Sequence, residues 1–492
     1  MKKVFILFAA LGLAATSCST DELGNGPGNP EGPGTESTPE GNLTIRLLAA
    51  ADATEGGEGA AVAGDKTIKN LQIYVFNAET GLLELQHNIS KSEGITDPSL
   101  TVSAGKKNIV LLANYDEKVA FPVLEPQIDA YGPFTTEKTV PLRAEKTEQA
   151  SLSGIETENG YPMSGTVSEF TVNEGNSTCE ITLKRYAAKV TIDNPLETEG
   201  DKKVAKVTGE LGNFTATDVK RGNIAENFWM IPHGGDTDWT TPLSEKAQDA
   251  AGQTPSQTVT TDGEYYTPAE NNDWHTIGLE RLFSENKPLK SADGSGVSKG
   301  STSYIVVRGT FKPNKNMYGS SGTKHKIDGK QWDDDNSAYY GNGYTTGNTF
   351  FRILKADGTW YKDAFYNGDP RQVNSGQSAW DQITENKKGW HVVEFTNAQC
   401  YYRIFLTRNN TGEADMGPGN EYYHAVRRSD WFKINMTQVN DTGWNTETGM
   451  KDTDNTPTNP EKPTDPVEPV SELKFQITVA PWDVVEQNTP LG

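Results

Sequence analysis

Apolar side chains alternate with polar ones at every second residue in most of the patterned segments of this chain. These segments are rich in Val, Ile, Tyr, Phe and Thr, which favour strands, and successive side chains of a strand face opposite sides of a sheet. The pattern therefore predicts a mostly β protein, and the number of segments suits β-sandwiches. The predicted strands are 43–50, 68–77, 82–89, 108–114, 179–192, 204–214, 228–232, 303–312, 349–355, 401–407 and 431–439. One short helix is predicted at 141–151.

The length of the patterned region predicts two domains. About 450 residues follow the N-terminal leader, which is more than one hydrophobic core usually covers. We expect an N-terminal sandwich at 42–185, a C-terminal sandwich at 186–455 and a separate terminal segment at 456–492. The segments 233–272 and 313–347 are crowded with Gly, Asn, Asp, Tyr and Trp, so they are predicted to be long functional or mobile loops.

The terminal segment is a proline-spaced linker followed by a strand. The prolines recur every third residue at Pro457, Pro460, Pro463, Pro466 and Pro469. This spacing matches a polyproline helix, which could hold the next strand roughly 40 Å from its own domain. That strand carries Leu473, Phe475, Ile477 and Val479 on one face and is followed by Trp482. From the spacing alone, the strand either joins a sheet of another molecule or loops back to complete its own domain.

The N-terminus has the parts of an exported lipoprotein. Residues 1–17 combine a basic start with a short apolar run, as in a signal peptide, and the run is too short to span a bilayer. Small residues before Cys18 resemble the lipobox of bacterial lipoproteins, in which the cysteine is acylated; the alternative is an ordinary signal peptide with an incidental cysteine. Residues 18–41 hold almost no apolar side chains and are predicted to be a disordered tether.

Charge and cysteine content narrow the function classes. The net charge of -22 argues against a nucleic-acid partner or an anionic membrane surface, because both require a basic face. Apart from Cys18, the cysteines are Cys179 and Cys400, too few for a disulfide scaffold. Two buried thiols are favoured over a bridge between them.

No pattern predicts a catalytic residue, a metal site or a cofactor. The segment from Gly296 to Gly300 matches the nucleophile elbow around Ser298, but a loop precedes it and a strand follows, whereas the elbow requires a strand and then a helix. The acidic run 333–336 lacks the Gly and Glu of an EF-hand, so a solvated turn is favoured over loose calcium binding. The six histidines show no metal-ligand spacing.

Exposed aromatic residues leave a binding role open. Trp332, Tyr339, Tyr340 and Tyr344 fall in a Gly- and Asn-rich segment and could stack on sugars. Aromatic side chains in such loops more often anchor the loop to its own domain, and we favour that interpretation.

Taken in order along the chain, several segments resemble the FimA- and Mfa1-type major fimbrial subunits of Bacteroidetes, the type V pilins. The segments are the lipobox at Cys18, 43–76, 110–114, 162–165, 183–190, 425–434 and 479–485. The resemblance implies two tandem transthyretin-like β-sandwiches with a C-terminal extended donor-strand arm. It also implies assembly by strand exchange, in which a protease removes the first strand and the C-terminal strand of another subunit fills the vacated groove.

The resemblance assigns roles to particular residues. The removable strand carries Leu43, Ile45 and Leu47, and the donor strand carries Leu473, Phe475, Ile477, Val479 and Trp482. The family usually has an arginine in the loop after the first strand, whereas the loop 55–62 here has none and Ala60 stands in its place. The candidate cleavage points are Ala60 and Ala61 in this loop and Arg46 within the strand. The Gly-rich loop is favoured because it fits a protease cleft better than a paired strand.

The implied function is that of a stalk subunit of a cell-surface fimbria whose precursor is lipid-anchored in the outer membrane. Its expected partners are copies of itself, anchor and tip subunits, and surface ligands of a host or of other bacteria. The alternative is a tip adhesin or a surface glycan-binding lipoprotein. The arm favours the stalk, since a tip subunit has no further subunit to receive its strand.

Overall fold

A computed structural model of the chain shows an almost entirely β protein. The described residues are 39–48, 68, 70–81, 83–90, 98–114, 139–141, 163–185, 187–223, 227–229, 274–284, 286, 288, 290–291, 293–314, 316–324, 344–345, 347–372, 376–408, 422–458, 465–467 and 472–481. Within them the only helical turns are two short 3-10 segments, Lys299–Ser301 and Thr396–Ala398. None of the described helical segments is long and apolar enough to cross a membrane.

The first part of the chain forms two sheets. The strands are β1 Glu40–Leu48, β2 Asn70–Asn77, β3 Leu83–Ser90, β4 Ser99–Ser103, β5 Gly105–Ala113, β6 Thr139–Pro141, β7 Met163–Val172, β8 Gly175–Thr182 and β9 Lys184–Arg185. One sheet has the order β4-β1-β8 and the other the order β3-β2-β5-β7-β9. Both sheets contribute to one hydrophobic core, with Leu43 and Ile45 from the first and Ile73, Val75 and Leu111 from the second. Two sheets closing over a shared core are a β-sandwich.

The second part of the chain builds a larger core. Its strands are β10 Ala187–Ile192, β11 Leu196–Glu199, β12 Lys202–Thr208, β13 Gly212–Gly222, β14 Asn227–Trp229, β15 His275–Thr276, β16 Arg281–Ser284, β17 Tyr304–Pro313, β18 Met317–Tyr318, β19 Phe350–Leu354, β20 Phe365–Tyr366, β21 His391–Phe395, β22 Gln399–Phe405, β23 Asp430–Val439 and β24 Leu473–Pro481. The sheet orders are β16-β10-β23-β24, β11-β12-β13-β17-β22 with β15 beside β13, and β18-β20-β19-β21. The short strand β14 pairs with β6.

All three of these larger sheets bury apolar side chains in the second core. Ile434 comes from the first sheet, Val307 from the second and Phe350 from the third, and each is fully buried. The buried residues of the first core fall between Leu43 and Leu183, and those of the second between Ala188 and Ile477. The domain bounds stay a prediction. The mostly β fold class is therefore confirmed.

Two predicted strands are wrong in their extent. The predicted strand 179–192 is three strands, β8, β9 and β10, because the chain leaves the first core and enters the second along this segment. The predicted strand 204–214 is the hairpin of β12 and β13, and its turn packs so tightly that a Cβ on Gly209 would lie 1.7 Å from the Val439 carbonyl oxygen. Of the predicted helix 141–151, Pro141 ends β6 and the remainder lies outside the described residues.

Candidate functional site: the two terminal strands

The first strand, β1, lies in the middle of its sheet. It pairs antiparallel with β4, where Leu43 faces Leu100, and parallel with β8, where Ile45 faces Cys179. Two ladders of backbone hydrogen bonds therefore hold this one strand. Taking it away would leave the facing edges of both β4 and β8 without partners.

Side chains of β1 alternate between the core and the surface. Leu43 and Ile45 are fully buried, Leu47 is half-buried against the same core, and Arg46 between them is exposed. The strand also fits closely at its start, where a Cβ on Gly41 would lie 2.3 Å from the Asn173 carbonyl oxygen. Burying two or three such apolar side chains is worth roughly 3 to 9 kcal/mol at about 1.5 to 3 kcal/mol each, before ordering costs.

The outer face of β1 is held only by surface contacts. Arg46 forms an ion pair with Glu180 of β8 at 3.3 Å, and about half of each side chain is exposed, 53% and 52%. Exposed pairs of this kind contribute about 0 to 1 kcal/mol. The backbone of Arg46 lies within the β1–β8 ladder, so this candidate cleavage point sits in a paired strand.

A free thiol on the neighbouring strand β8 lies beside β1. Cys179 on β8 is 1% exposed, faces Ile45 in the ladder and belongs to the same core. Burial raises the pKa of this thiol to about 11, and the charge of Glu180 adds to the effect. Cys400 is fully buried in the second core, and both thiols are unpaired, as predicted.

The last strand, β24, occupies the edge of its sheet. It pairs antiparallel with β23 from Leu473 opposite Val439 to Pro481 opposite Asp430. No other described strand flanks it in the sheet order. Among the described strands, the ladder with β23 is the one that holds β24.

The side chains of β24 repeat the alternation of β1. Leu473 and Ile477 are fully buried in the second core, and Phe475 packs against that core while half-buried. Lys474 and Gln476 between them are exposed. Val479 belongs to the strand by its backbone pairing with Phe432.

The linker before β24 lies against its own domain. The backbone N–H of Lys299 donates to the Asp465 carbonyl at 2.8 Å, and that of Val467 donates to the Val297 carbonyl at 2.9 Å. Farther back, the Thr458 N–H donates to the Met450 carbonyl at 3.0 Å. Of the two alternatives that the proline spacing leaves open, the described linker residues agree with a linker that folds back on its own domain, because backbone hydrogen bonds hold them there.

The nucleophile-elbow sequence around Ser298 contacts the linker before β24. Ser298 is buried and shares a hydrogen bond of 2.6 Å with the Ser301 hydroxyl, while its carbonyl accepts the Thr302 hydroxyl at 2.8 Å. It also forms a β-bridge with Pro466. These contacts assign Ser298 a structural role in seating the linker.

Some of the remaining predicted site residues are among the described residues, and the others are not. Tyr344 is fully buried and its hydroxyl donates to the Asn348 carbonyl at 2.9 Å, as expected for an aromatic side chain that anchors its loop. No group of His, Cys, Asp and Glu in the described part could hold a metal ion. The predictions that lie outside the described residues concern Cys18, Ala60, Ala61, Trp332, 333–336, Tyr339, Tyr340 and Trp482.

The sequence analysis did not predict β4 or the start of β8, the two strands that flank β1. β4 was not predicted, although Leu100 and Val102 alternate with Ser99, Thr101 and Ser103, because five residues give too short a pattern to stand out. The start of β8 was missed because Gly175 and Asn176 favour turns.

Two family models match the chain on these same elements. One, described as major fimbrial subunit protein (FimA), matches residues 41–212, which include β1, β4 and β8. The other, described as major fimbrial subunit protein type IV, fimbrillin, C-terminal, matches residues 393–488, which include β23 and β24. The chain belongs to the FimA-type fimbrial subunits. The resemblance seen in the sequence is thereby confirmed, and β1 and β24 are the first and last strands of a fimbrial subunit.

Solved structures offer distant matches to this fimbrial subunit. The fimbrilin FimA of Porphyromonas gingivalis W83 is 14% identical, with a TM-score of 0.42 over 91% of this chain and 99% of that one. The tip fimbrial protein Mfa3 of P. gingivalis is 11% identical, with a TM-score of 0.36 over 90% and 100%. A fimbrial assembly protein of Parabacteroides distasonis is 11% identical, with a TM-score of 0.27 over 56% and 84%. No curated protein matches the sequence, and the family assignment rests on the two family models.

Proposed function

We propose that this fimbrial subunit is a stalk subunit that polymerises by exchanging its last strand for the first strand of a neighbour. In the proposal, β1 is removed by proteolysis, and β24 of another subunit enters the groove between β4 and β8. The observation that carries it is the matched pair of terminal strands. Both alternate apolar and polar side chains, but among the described strands β1 pairs with two neighbours and β24 with one.

The geometry of β24 supports its role as the donor. Among the described strands β24 lies at the sheet edge, so its release would break the ladder with β23 and expose Leu473, Phe475 and Ile477 without separating two other described strands. Those same side chains would be buried again in the groove of the neighbour. With Val479 included, four such side chains contribute roughly 6 to 12 kcal/mol before ordering costs. Main-chain hydrogen bonds to β4 and β8 would add affinity, as in other strand additions.

Removal of β1 requires a cut in the chain. The strand lies between two partners and cannot leave sideways, so cleavage in the loop 55–62, at Ala60 or Ala61, would separate it from the rest of the domain. Arg46 is the weaker candidate because its backbone is paired with β8 at Glu180. A cut at Arg46 would also leave Leu47 behind in the groove.

Export as a lipoprotein completes the proposal. Cys18 would carry the lipid that holds the precursor at the outer membrane, and the cut after β1 would release the subunit from this anchor. Donation to the next subunit is head-to-tail and does not close, so it yields a filament. The partners are other copies of the chain, with anchor and tip subunits at the two ends.

N-terminal sequencing of fibres sheared from the cell surface tests the proposal. We expect the mature chain to begin within 55–64, after β1. A start at Cys18 would mean that β1 is retained and that no groove opens, which would contradict the strand exchange.

Truncation of the donor strand tests the other half of the proposal. The full-length chain should give high-mass ladders on gels of unheated protein, and removal of residues 471–492 should abolish them. If the truncated chain still polymerises and gives the same ladders, β24 is excluded as the donor strand. A tip adhesin, in contrast, would appear once per fibre and form no ladder of its own.

A further inference from the structure

A fully buried lysine in the first sandwich lies beside a carboxylate and an amide. Lys107 of β5 has a side chain that is 0% exposed, and its Nζ donates to Glu84 Oε1 at 2.8 Å and to Ser103 Oγ at 2.6 Å. Glu84 lies on β3, with a side chain that is 20% exposed. A buried ammonium group of this kind is costly unless it is paired.

The amide belongs to Asn77, the last residue of β2. Asn77 stands directly opposite Lys107 in the antiparallel ladder of β2 and β5. Two residues earlier in the same ladder, Val75 stands opposite Ile109, and both point into the first core. Since side chains repeat every second residue, Asn77 and Lys107 extend from the same face of the sheet at the end of that core.

One carboxylate oxygen joins the lysine and the amide. Glu84 Oε1, which accepts the Lys107 ammonium, also accepts Asn77 Nδ2 at 3.0 Å. The Ser103 hydroxyl lies 3.0 and 2.9 Å from the two oxygens of Glu84 and fixes the carboxylate in place. Glu84 is therefore positioned to pass a proton between the two nitrogen atoms.

The carbonyl of the same amide is polarised from the other side. Asn77 Oδ1 accepts hydrogen bonds from the backbone N–H groups of Glu79 and Thr80, each at 3.0 Å. Two N–H donors on one carbonyl oxygen stabilise the negative charge that develops there when the carbon is attacked, as in an oxyanion hole. The turn after β2 supplies both donors.

We propose that Lys107 and Asn77 join in an intramolecular isopeptide bond. The bond between Lys107 Nζ and Asn77 Cγ forms, the bond between Cγ and Nδ2 breaks, and Nδ2 leaves as ammonia. Glu84 accepts one proton from Nζ to free its lone pair and then relays a second from Nζ to Nδ2. The first proton departs with the ammonia as ammonium, so Glu84 ends as it began and no oxidant or cofactor takes part.

Hydrogen bonds within the cluster determine whether Glu84 is charged before the reaction begins. Burial raises the pKa of Glu84, but the hydrogen bonds from Lys107, Asn77 and Ser103 outweigh burial and bring the pKa below its ordinary value. The reactants therefore rest as an ion pair. The 2.8 Å hydrogen bond between Lys107 Nζ and Glu84 Oε1 is the path along which the first proton would move.

Such a bond would link β2 covalently to β5. These are adjacent inner strands of the sheet that faces the sheet of β1. It would act within each subunit and would not depend on strand exchange between subunits. A covalent link across the loop from Asn77 to Lys107 would stabilise the sandwich mainly by restricting its unfolded state.

A tryptic peptide map of the purified, folded full chain tests the bond. Trypsin should yield peptide 70–91 linked to peptide 107–118, because cleavage after Lys107 is lost, and the pair should be lighter than its parts by one ammonia. Glu84→Gln and Asn77→Ala should each give unlinked peptides. Lys106→Arg, which alters the neighbouring exposed lysine and keeps a tryptic site, should leave the link intact.

The wild-type map alone can overturn the proposal. Separate peptides 70–91 and 108–118, with an unmodified Lys107, would exclude the bond whether or not the variants fold. Asn77 converted to Asp beside a free Lys107 would exclude it equally, since water and not lysine would have attacked. A link that persists in Glu84→Gln would refute the proton relay.

Discussion

The first and last strands of this fimbrial subunit have the same alternating pattern but opposite positions in their sheets. Among the described strands, β1 lies between β4 and β8, whereas β24 lies at an edge with β23 as its neighbour. An edge strand can be released by breaking one ladder, but an inner strand leaves only if the chain is cut. This difference supports the proposal that β24 is the donor strand and that β1 is removed by a protease.

The largest effect is expected from a charge on the buried face of β24. Ile477→Asp should abolish polymer ladders, because Ile477 is fully buried and an unpaired carboxylate there would have to be desolvated. Lys474→Asp on the exposed face of the same strand is the matched control and should leave the ladders in place. Gels of unheated protein and circular dichroism of the monomer measure both variants. Equal loss of ladders in the two variants would contradict the assignment of the buried face.

Reactivity of Cys179 should report whether the β1 groove is open. In the precursor the thiol is buried and its pKa is raised to about 11, so little thiolate forms at pH 8. Removal of β1 should return the pKa towards the ordinary value of about 8.5, and labelling should accelerate by roughly two orders of magnitude from thiolate formation alone.

The fully buried Cys400 provides the internal control for this experiment. Mass spectrometry after pulse labelling should show Cys179 protected in the precursor, reactive once an engineered protease site in 55–62 has been cut and β1 removed, and protected again in fibres. Cys179 that stays reactive in fibres would mean that the groove is left unfilled.

A cavity in β1 should affect the precursor and not the fibre. Leu43→Ala removes a fully buried side chain and should lower the free energy of unfolding of the precursor by about 2 to 5 kcal/mol. If β1 is removed during maturation, as proposed, fibres of this variant should melt at the same temperature as wild-type fibres. A lowered melting temperature of the fibres would show that β1 is retained in them.

The smallest change in precursor stability is expected from a substitution on the exposed face of β1. Arg46→Ala breaks an exposed ion pair with Glu180 and should cost less than about 1 kcal/mol of precursor stability. It should also leave the mature N-terminus unchanged if the cut falls in the loop. A shifted or missing cut, read by N-terminal sequencing, would identify Arg46 as the cleavage point.

The strand patterns themselves could be predicted from the sequence. Leu43 and Ile45 in β1, and Leu473 and Ile477 in β24, alternate with polar residues, and the structure buries all four. Period-two alternation reports which face of a strand is buried, and it does so without knowledge of the partner. The pattern could not distinguish a central strand from an edge strand, because pairing is set by distant segments.

The position of β24 against its own domain also could not be predicted, because it depends on contacts between residues far apart in the sequence. Proline spacing suggested an extended spacer, but the linker is tied down by Lys299 and Val297, which lie more than 150 residues away in the chain. The cluster of Asn77, Glu84 and Lys107 was missed for a related reason. Its members are brought together by the register of three strands, and register follows from the packing of the whole core.

Disulfide trapping in assembled fibres tests strand exchange most directly. The experiment replaces one residue of β24 at a time by cysteine, at Leu473, Phe475, Ile477 or Val479. Native Cys179 on β8, which flanks the groove, serves as the partner. We expect at least one position to yield covalent ladders that disappear with reductant and that require Cys179, as shown by their loss in Cys179→Ser. Fibres that assemble with all four variants but contain no disulfide to Cys179 would contradict the entry of β24 into the groove of its neighbour.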